Sequence, residues 1–227
     1  MELIHSMDRL PRIRLLILDL DGTIADTVES IREAVNRALK QYGLPERSYE
    51  EIRNALGNGA SELVRRSLPT NCILDEKQKE EMYQCYHRIY GETYSHCQGC
   101  YEGIPEGLRI LKERGYTLAV LSNKQDVYVK ALIDQLLPKG TMAMTVGQTE
   151  QPKKPDPTVP LVMARELGFS PEETAFVGDS EVDIQTAINA GMLAVGCAWG
   201  YRCRTLLVKE GAAVLLEDTE ELTKLFK

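Results

Sequence analysis

The chain reads as an α/β protein: a parallel sheet covered by helices, with an all-helical segment inserted after the first strand. Three observations predict this. Leu15-Leu16-Ile17-Leu18 is an unbroken aliphatic run of strand length, the pattern of a strand buried on both faces. From Gly103 onward, helix-like and strand-like segments alternate, as they do where crossover helices join parallel strands. Between residues 26 and 96 no strand pattern interrupts a series of helical ones. The expected organisation is a core of residues 1–25 and 97–227 and a helical insertion of residues 26–96.

In the insertion, Asp26 can cap a first helix with Glu29 as its box partner, and Val28, Ile31, Val35, Ala38, Leu39 and Tyr42 form its apolar stripe. Gly43 and Pro45 stop it. Ser48 with Glu51 opens a second helix, which Gly57-Asn58-Gly59 breaks, and a third falls within 60–68. Asp75 opens a fourth, with Met82, Cys85, Tyr86, Ile89 and Tyr94 at helical spacing. In the core, residues 105–114, 127–137, 159–167 and 183–190 read as helices. Residues 117–121, 142–146, 175–177 and 193–196 read as strands. Residues 213–216 and a capped helix from Asp218 finish one edge of the sheet.

A length of 227 residues with 43% hydrophobic content supports a substantial core. The net charge of −7 gives no global field that would draw nucleic acid or an anionic membrane. No stretch approaches a membrane span, and the amino-terminal MELIHSMDRLPRIR lacks a leader pattern, so a cytoplasmic protein is expected. A chain this long and core-rich does not need its six cysteines paired. Cys97-Gln98-Gly99-Cys100 has no second pair to complete a zinc site and reads as chance spacing.

The chemistry-bearing residues follow the apolar runs. Asp19 and Asp21 end the first strand, and Gly22 and Thr23 turn the chain beyond them. Two anions so close need a cation. Ser122-Asn123, Lys154-Pro155 and Gly178-Asp179-Ser180 with Asp183 follow later segments. In order and spacing, these four motifs resemble those of the haloacid dehalogenase-like hydrolase superfamily. The helical insertion resembles the first-type cap of its phosphoglycolate phosphatase-like branch, as does Trp199-Gly200-Tyr201.

The resemblance implies a Rossmann-like doubly wound sheet of strand order 5-4-1-2-3, with Asp19 and Asp179 on neighbouring strands. It implies Asp19 as nucleophile, forming an aspartyl-phosphate, and Asp21 as general acid/base. Ser122 and, less directly, Asn123 would hold the phosphoryl oxygens, together with Gly22 and Thr23. Lys154, selected over Lys153 because the family places its lysine before proline, would offset the repulsion between nucleophile and phosphate. Asp19, Asp21 through its carbonyl, Asp179 and Asp183 would hold a metal, and oxygen-only ligands beside a phosphate favour Mg2+. In the insertion, Gly57, Asn58 and Gly59 resemble the cap specificity loop, and Arg65 or Arg66 would meet a second anionic group on the substrate. The implied substrate is a small phosphorylated metabolite, phosphoglycolate first among candidates, and the implied assembly a monomer or homodimer. Asp21 argues against a dehalogenase, which lacks that second aspartate. A sugar-phosphate phosphomutase shares every motif, and a phospho-accepting receiver shares the acids, hydroxyl and lysine but has no helical lid.

Overall fold

The computed structural model describes residues 2–3, 8–70, 72 and 74–227. Residues 1 and 4–7 of the amino-terminal stretch lie outside the described residues. The strands are β1 (Glu2–Leu3), β2 (Leu15–Leu18), β3 (Ala25–Asp26), β4 (Gly99–Cys100), β5 (Thr117–Gln125), β6 (Met144–Gln148), β7 (Thr174–Gly178), β8 (Leu193–Cys197) and β9 (Val214–Leu216). The α-helices are α1 (Val28–Gln41), α2 (Tyr49–Ala55), α3 (Ala60–Ser67), α4 (Glu76–Thr93), α5 (Ile104–Glu113), α6 (Asp126–Leu136), α7 (Thr158–Glu166), α8 (Glu181–Asn189), α9 (Arg204–Lys209) and α10 (Glu221–Leu225). Two compact units divide the chain: residues 1–25 with 100–227, and residues 26–99.

The first unit holds a sheet of order β1-β9-β8-β7-β2-β5-β6. Within it β8-β7-β2-β5-β6 is the expected 5-4-1-2-3 arrangement, all parallel. β2 is central, paired with β7 on one side and β5 on the other, which is why all four of its side chains are aliphatic and buried. Leu15 and Ile17, two residues apart and so on one face, pack with Ala119, Phe176, Ile184 and Leu207. Each such Leu or Ile removed from water contributes about 1.5–3 kcal/mol before entropy is charged against it.

The edge differs from expectation. β9 pairs parallel with β8, but β1 adds antiparallel outside it, so the tail does not finish the sheet. The third core strand starts at Met144 rather than 142, preceded by a turn in which Thr141 N donates to Pro138 O. β5 runs on past Leu121 to Gln125, with a register shift between them, and carries four polar residues beyond the aliphatic run.

The second unit is helical apart from its ends. β3 and β4 form a two-stranded ribbon where the chain passes between the units. Asp26 belongs to that ribbon, its carbonyl accepting from Gln98 N, so α1 cannot begin there. The helix starts at Val28 behind Thr27, and Asp26 Oδ1 accepts from Val28 N at 3.3 Å in place of the expected capping box. Ser48 with Glu51 and Asp75 with Gln78 do form reciprocal capping boxes on α2 and α4. Among the described residues no helix is long and apolar enough to cross a membrane.

Candidate active site

The polar motifs gather because their strands are neighbours. Asp19 follows β2, Asp179 follows the adjacent β7, Ser122 lies in β5 on β2's other side, and Lys154 comes from the loop after β6. Asp19 N donates to Val177 O at 2.9 Å, which continues the ladder one residue and fixes the two acids relative to each other. Asp19, Asp179 and Asp183 each offer a carboxylate oxygen within 4.8 Å of the others, and all three are buried.

Each acid has fixed partners. Asp19 Oδ1 accepts from Leu20 N at 2.7 Å and from Lys154 Nζ at 2.9 Å. The same ammonium donates to Asp183 Oδ1 at 2.7 Å, while Asp183 Oδ2 takes the Ser180 hydroxyl at 2.6 Å and its backbone N at 3.0 Å. Asp183 is therefore both the N3 member of the α8 capping box and part of the acidic cluster. Asp179 Oδ1 accepts from Thr23 Oγ1 at 3.1 Å and Oδ2 from Tyr201 N at 2.7 Å. Trp199 Nε1 donates to Thr23 O at 3.1 Å, so the Trp-Gly-Tyr segment ties down the Asp179 side.

Glycines make this closeness possible. A Cβ on Gly22, whose φ is +88°, would lie 2.4 Å from Asp179 Oδ2. One on Gly200 would meet Asp179 Cβ at 2.3 Å.

Burial pushes the Asp19 carboxyl up to about 7; Lys154 opposes this, and Asp183 and Asp21 add to it. Burial also pushes Asp179 well above the carboxylate range, with Asp183 and Asp19 contributing. Lys154 would be lowered by its burial, but Asp183 and Asp19 outweigh that and hold it charged. Asp19, Asp21, Asp179 and Asp183 face two ammonium groups, Lys154 and Lys124, which leaves two formal negative charges. Oxygen-only donors with a deficit of two charges fit a hard divalent cation.

Two residues expected against substrate are engaged within the protein. Asn123 Oδ1 accepts from Lys154 N at 2.9 Å and its Nδ2 donates to Lys154 O at 3.0 Å, clamping the lysine's backbone. Thr23 is fully buried and serves Asp179. Ser122 Oγ, also buried, accepts from Lys124 N at 3.3 Å and keeps its hydroxyl proton to donate. Lys124, passed over in the sequence, forms an ion pair with Asp21 Oδ2 at 3.0 Å. Its signal was its place, one residue beyond Ser122-Asn123 in a polar run at a strand's carboxyl end. Gly57, Asn58, Gly59 and Arg65 belong to the helical unit. Gly59, at φ +84°, is the residue before α3, and Arg65 pairs with Glu62 at 2.6 Å. Arg65 and Arg66 together hold Glu62 at about 2.

A model of the haloacid dehalogenase-like hydrolase family matches residues 16–197. The chain belongs to that family. A phosphoglycolate phosphatase of Pseudomonas putida is 33% identical over 92% of this chain and 78% of its own length. One of Haemophilus influenzae is 31% identical over 93% and 97%. The crystal structure of a predicted phosphoglycolate phosphatase from Haemophilus somnus superposes with a TM-score of 0.88 at 28% identity, covering 95% of this chain and 99% of the other. These relatives place the chain in the family's phosphatase branch.

Proposed function

We propose that the protein hydrolyses a small phosphomonoester with Mg2+ through an aspartyl-phosphate on Asp19, and that phosphoglycolate is the leading substrate. The observation that carries this reading is the convergence of Asp19, Asp179 and Asp183 on one point with Lys154 against two of them. Relatives named phosphoglycolate phosphatase at 31–33% identity support the substrate.

Asp19 Oδ2, which neither Leu20 N nor Lys154 holds, is assigned as the attacking atom. It forms a bond to phosphorus as the ester P–O bond breaks, and Asp21 gives its proton to the departing oxygen. Asp21 then takes a proton from water, which attacks phosphorus and frees Asp19 and inorganic phosphate. Lys154 and the Ser122 hydroxyl hold the phosphoryl oxygens in line. Mg2+ held by Asp19, Asp179, Asp183 and the Asp21 carbonyl would neutralise phosphoryl charge. Residues 26–99 are assigned the family's cap role of substrate selection.

The test is phosphate release from a panel of metabolite phosphates, wild type against Asp19→Asn. The expected result is Mg2+-dependent turnover with phosphoglycolate among the best substrates and none in the variant. Turnover retained by Asp19→Asn would exclude the nucleophile.

A further inference from the structure

Lysines from two different segments meet two of the site's carboxylates. Lys154, from the loop after β6, meets Asp19 at 2.9 Å, and Lys124, from the extension of β5, meets Asp21 at 3.0 Å. The second pair is not a surface ion pair: the Lys124 side chain is 6% exposed and that of Asp21 16%. Exposed pairs fix little, whereas a lysine held out of water against one carboxylate restricts it.

The backbone explains why the pair forms. β2 and β5 run parallel with Leu18 opposite Val120, so the segments that follow them leave the sheet side by side. Asp21 sits in a tight turn, with Gly22 N donating to Ala25 O at 3.0 Å and an isolated bridge from Asp21 to Ala25. Lys124 N is held by Ser122 Oγ. Both backbones are thereby set, and the ion pair then fixes where the Asp21 carboxylate points.

Resting on the reading of Asp21 as the proton donor, we propose that Lys124 is a positioning residue that holds Asp21 in line with the departing oxygen. A displaced donor matters only where the leaving group needs its proton. The alkoxide of an alkyl phosphate needs it, and p-nitrophenolate does not. Loss of Lys124 as a mere counter-charge would slow both alike.

The experiment follows the first turnover by rapid quench with saturating Mg2+, on phosphoglycolate and on p-nitrophenyl phosphate. It uses wild type, Lys124→Met, Lys124→Gln, Asp21→Asn and the Lys124→Met/Asp21→Asn double variant, each checked for folding by its thermal melt. In Lys124→Met and Lys124→Gln, the first turnover on phosphoglycolate falls about 100-fold, the scale of a misplaced group, while the p-nitrophenolate burst stays within about 3-fold. The double variant is no slower than Asp21→Asn, since the lysine acts through that acid. Equal losses on the two substrates, or losses that multiply in the double variant, overturn the role of Lys124. If Asp21→Asn itself leaves phosphoglycolate turnover intact, the proton-donor reading fails, and the role of Lys124 goes with it. If Asp21→Asn slows phosphoglycolate but Lys124→Met does not, only the Lys124 role fails.

Discussion

Gly22 and Gly115 make a matched pair for asking what holds the acidic cluster together. Their φ angles are +88° and +90°, so alanine at either position meets the same left-handed backbone cost, roughly 1–2 kcal/mol. Their surroundings differ. A Cβ at 115 has nothing within 4 Å, whereas one at 22 would lie 2.4 Å from Asp179 Oδ2 and 2.6 Å from its Cγ and Oδ1. Asp179 cannot swing away cheaply, because Thr23 and Tyr201 N hold its two oxygens. Overpacking adds about 1–3 kcal/mol, so Gly22→Ala should lose roughly 2–5 kcal/mol against about 1–2 for Gly115→Ala. At about 2–4 °C per kcal/mol for a chain of this size, the two melts separate clearly. Urea unfolding gives the energies and phosphate release gives the function: Gly115→Ala keeps wild-type turnover, and Gly22→Ala loses most of it. If the two variants melt together and turn over alike, the claim that Gly22 exists to admit Asp179 is wrong.

Removing the Ser180 hydroxyl by Ser180→Ala strips both the α8 cap and a donor to Asp183; it should cost about 1 kcal/mol in urea unfolding and weaken Mg2+ binding about 10-fold by calorimetric titration. Thr23→Val keeps the shape and loses the hydrogen bond to Asp179 Oδ1; a loss of about 1.5–3 kcal/mol is expected, and an unchanged unfolding midpoint would contradict it. For pH, the metal-free folded protein keeps on Asp19, raised from 3.8 to about 7, a proton that the unfolded chain has already released. Its contribution is full below about 4 and lost as pH rises to about 7, so melts in EDTA should fall between about pH 4 and 7 and level off above. Asp19→Asn flattens that fall and Mg2+ reverses it; a wild-type melt that climbs with pH in EDTA would refute the assignment.

The individual strands and the acids that end them were legible because they rest on short-range signals, whereas the sheet order came only from the resemblance of the motifs to the family's. An aliphatic run that ends in Asp19 states strand, end and acid at once, and parallel neighbours then bring Asp179 beside it. What the sequence hid was carried by the backbone. β1 is two residues long, too short for any period to show, and Asp26 carried a good capping pattern that the ribbon with Gly99–Cys100 overrode. Asn123 and Thr23 carry the right chemistry for touching phosphate, and only the fold reveals that one grips the Lys154 backbone and the other Asp179. Lys124 escaped notice because its meaning lies entirely in its partner, 103 positions away in sequence and 3.0 Å away in space.

That division explains how so many carboxylates share one place before any ion joins them. Asp183 is not only a member of the cluster: as the N3 residue of α8 it faces the positive end of the helix dipole and takes two bonds from Ser180. Asp179 spreads its charge over a hydroxyl and a backbone amide, and Asp19 over a backbone amide and an ammonium. Fixed neutral dipoles thus meet part of the desolvation cost, and the remaining deficit of two charges is what a divalent ion relieves. A cluster balanced entirely by lysines would have no reason to bind one, and a cluster without its dipoles would not stay folded to receive it. Substitutions of the dipoles should therefore lower stability and metal affinity together.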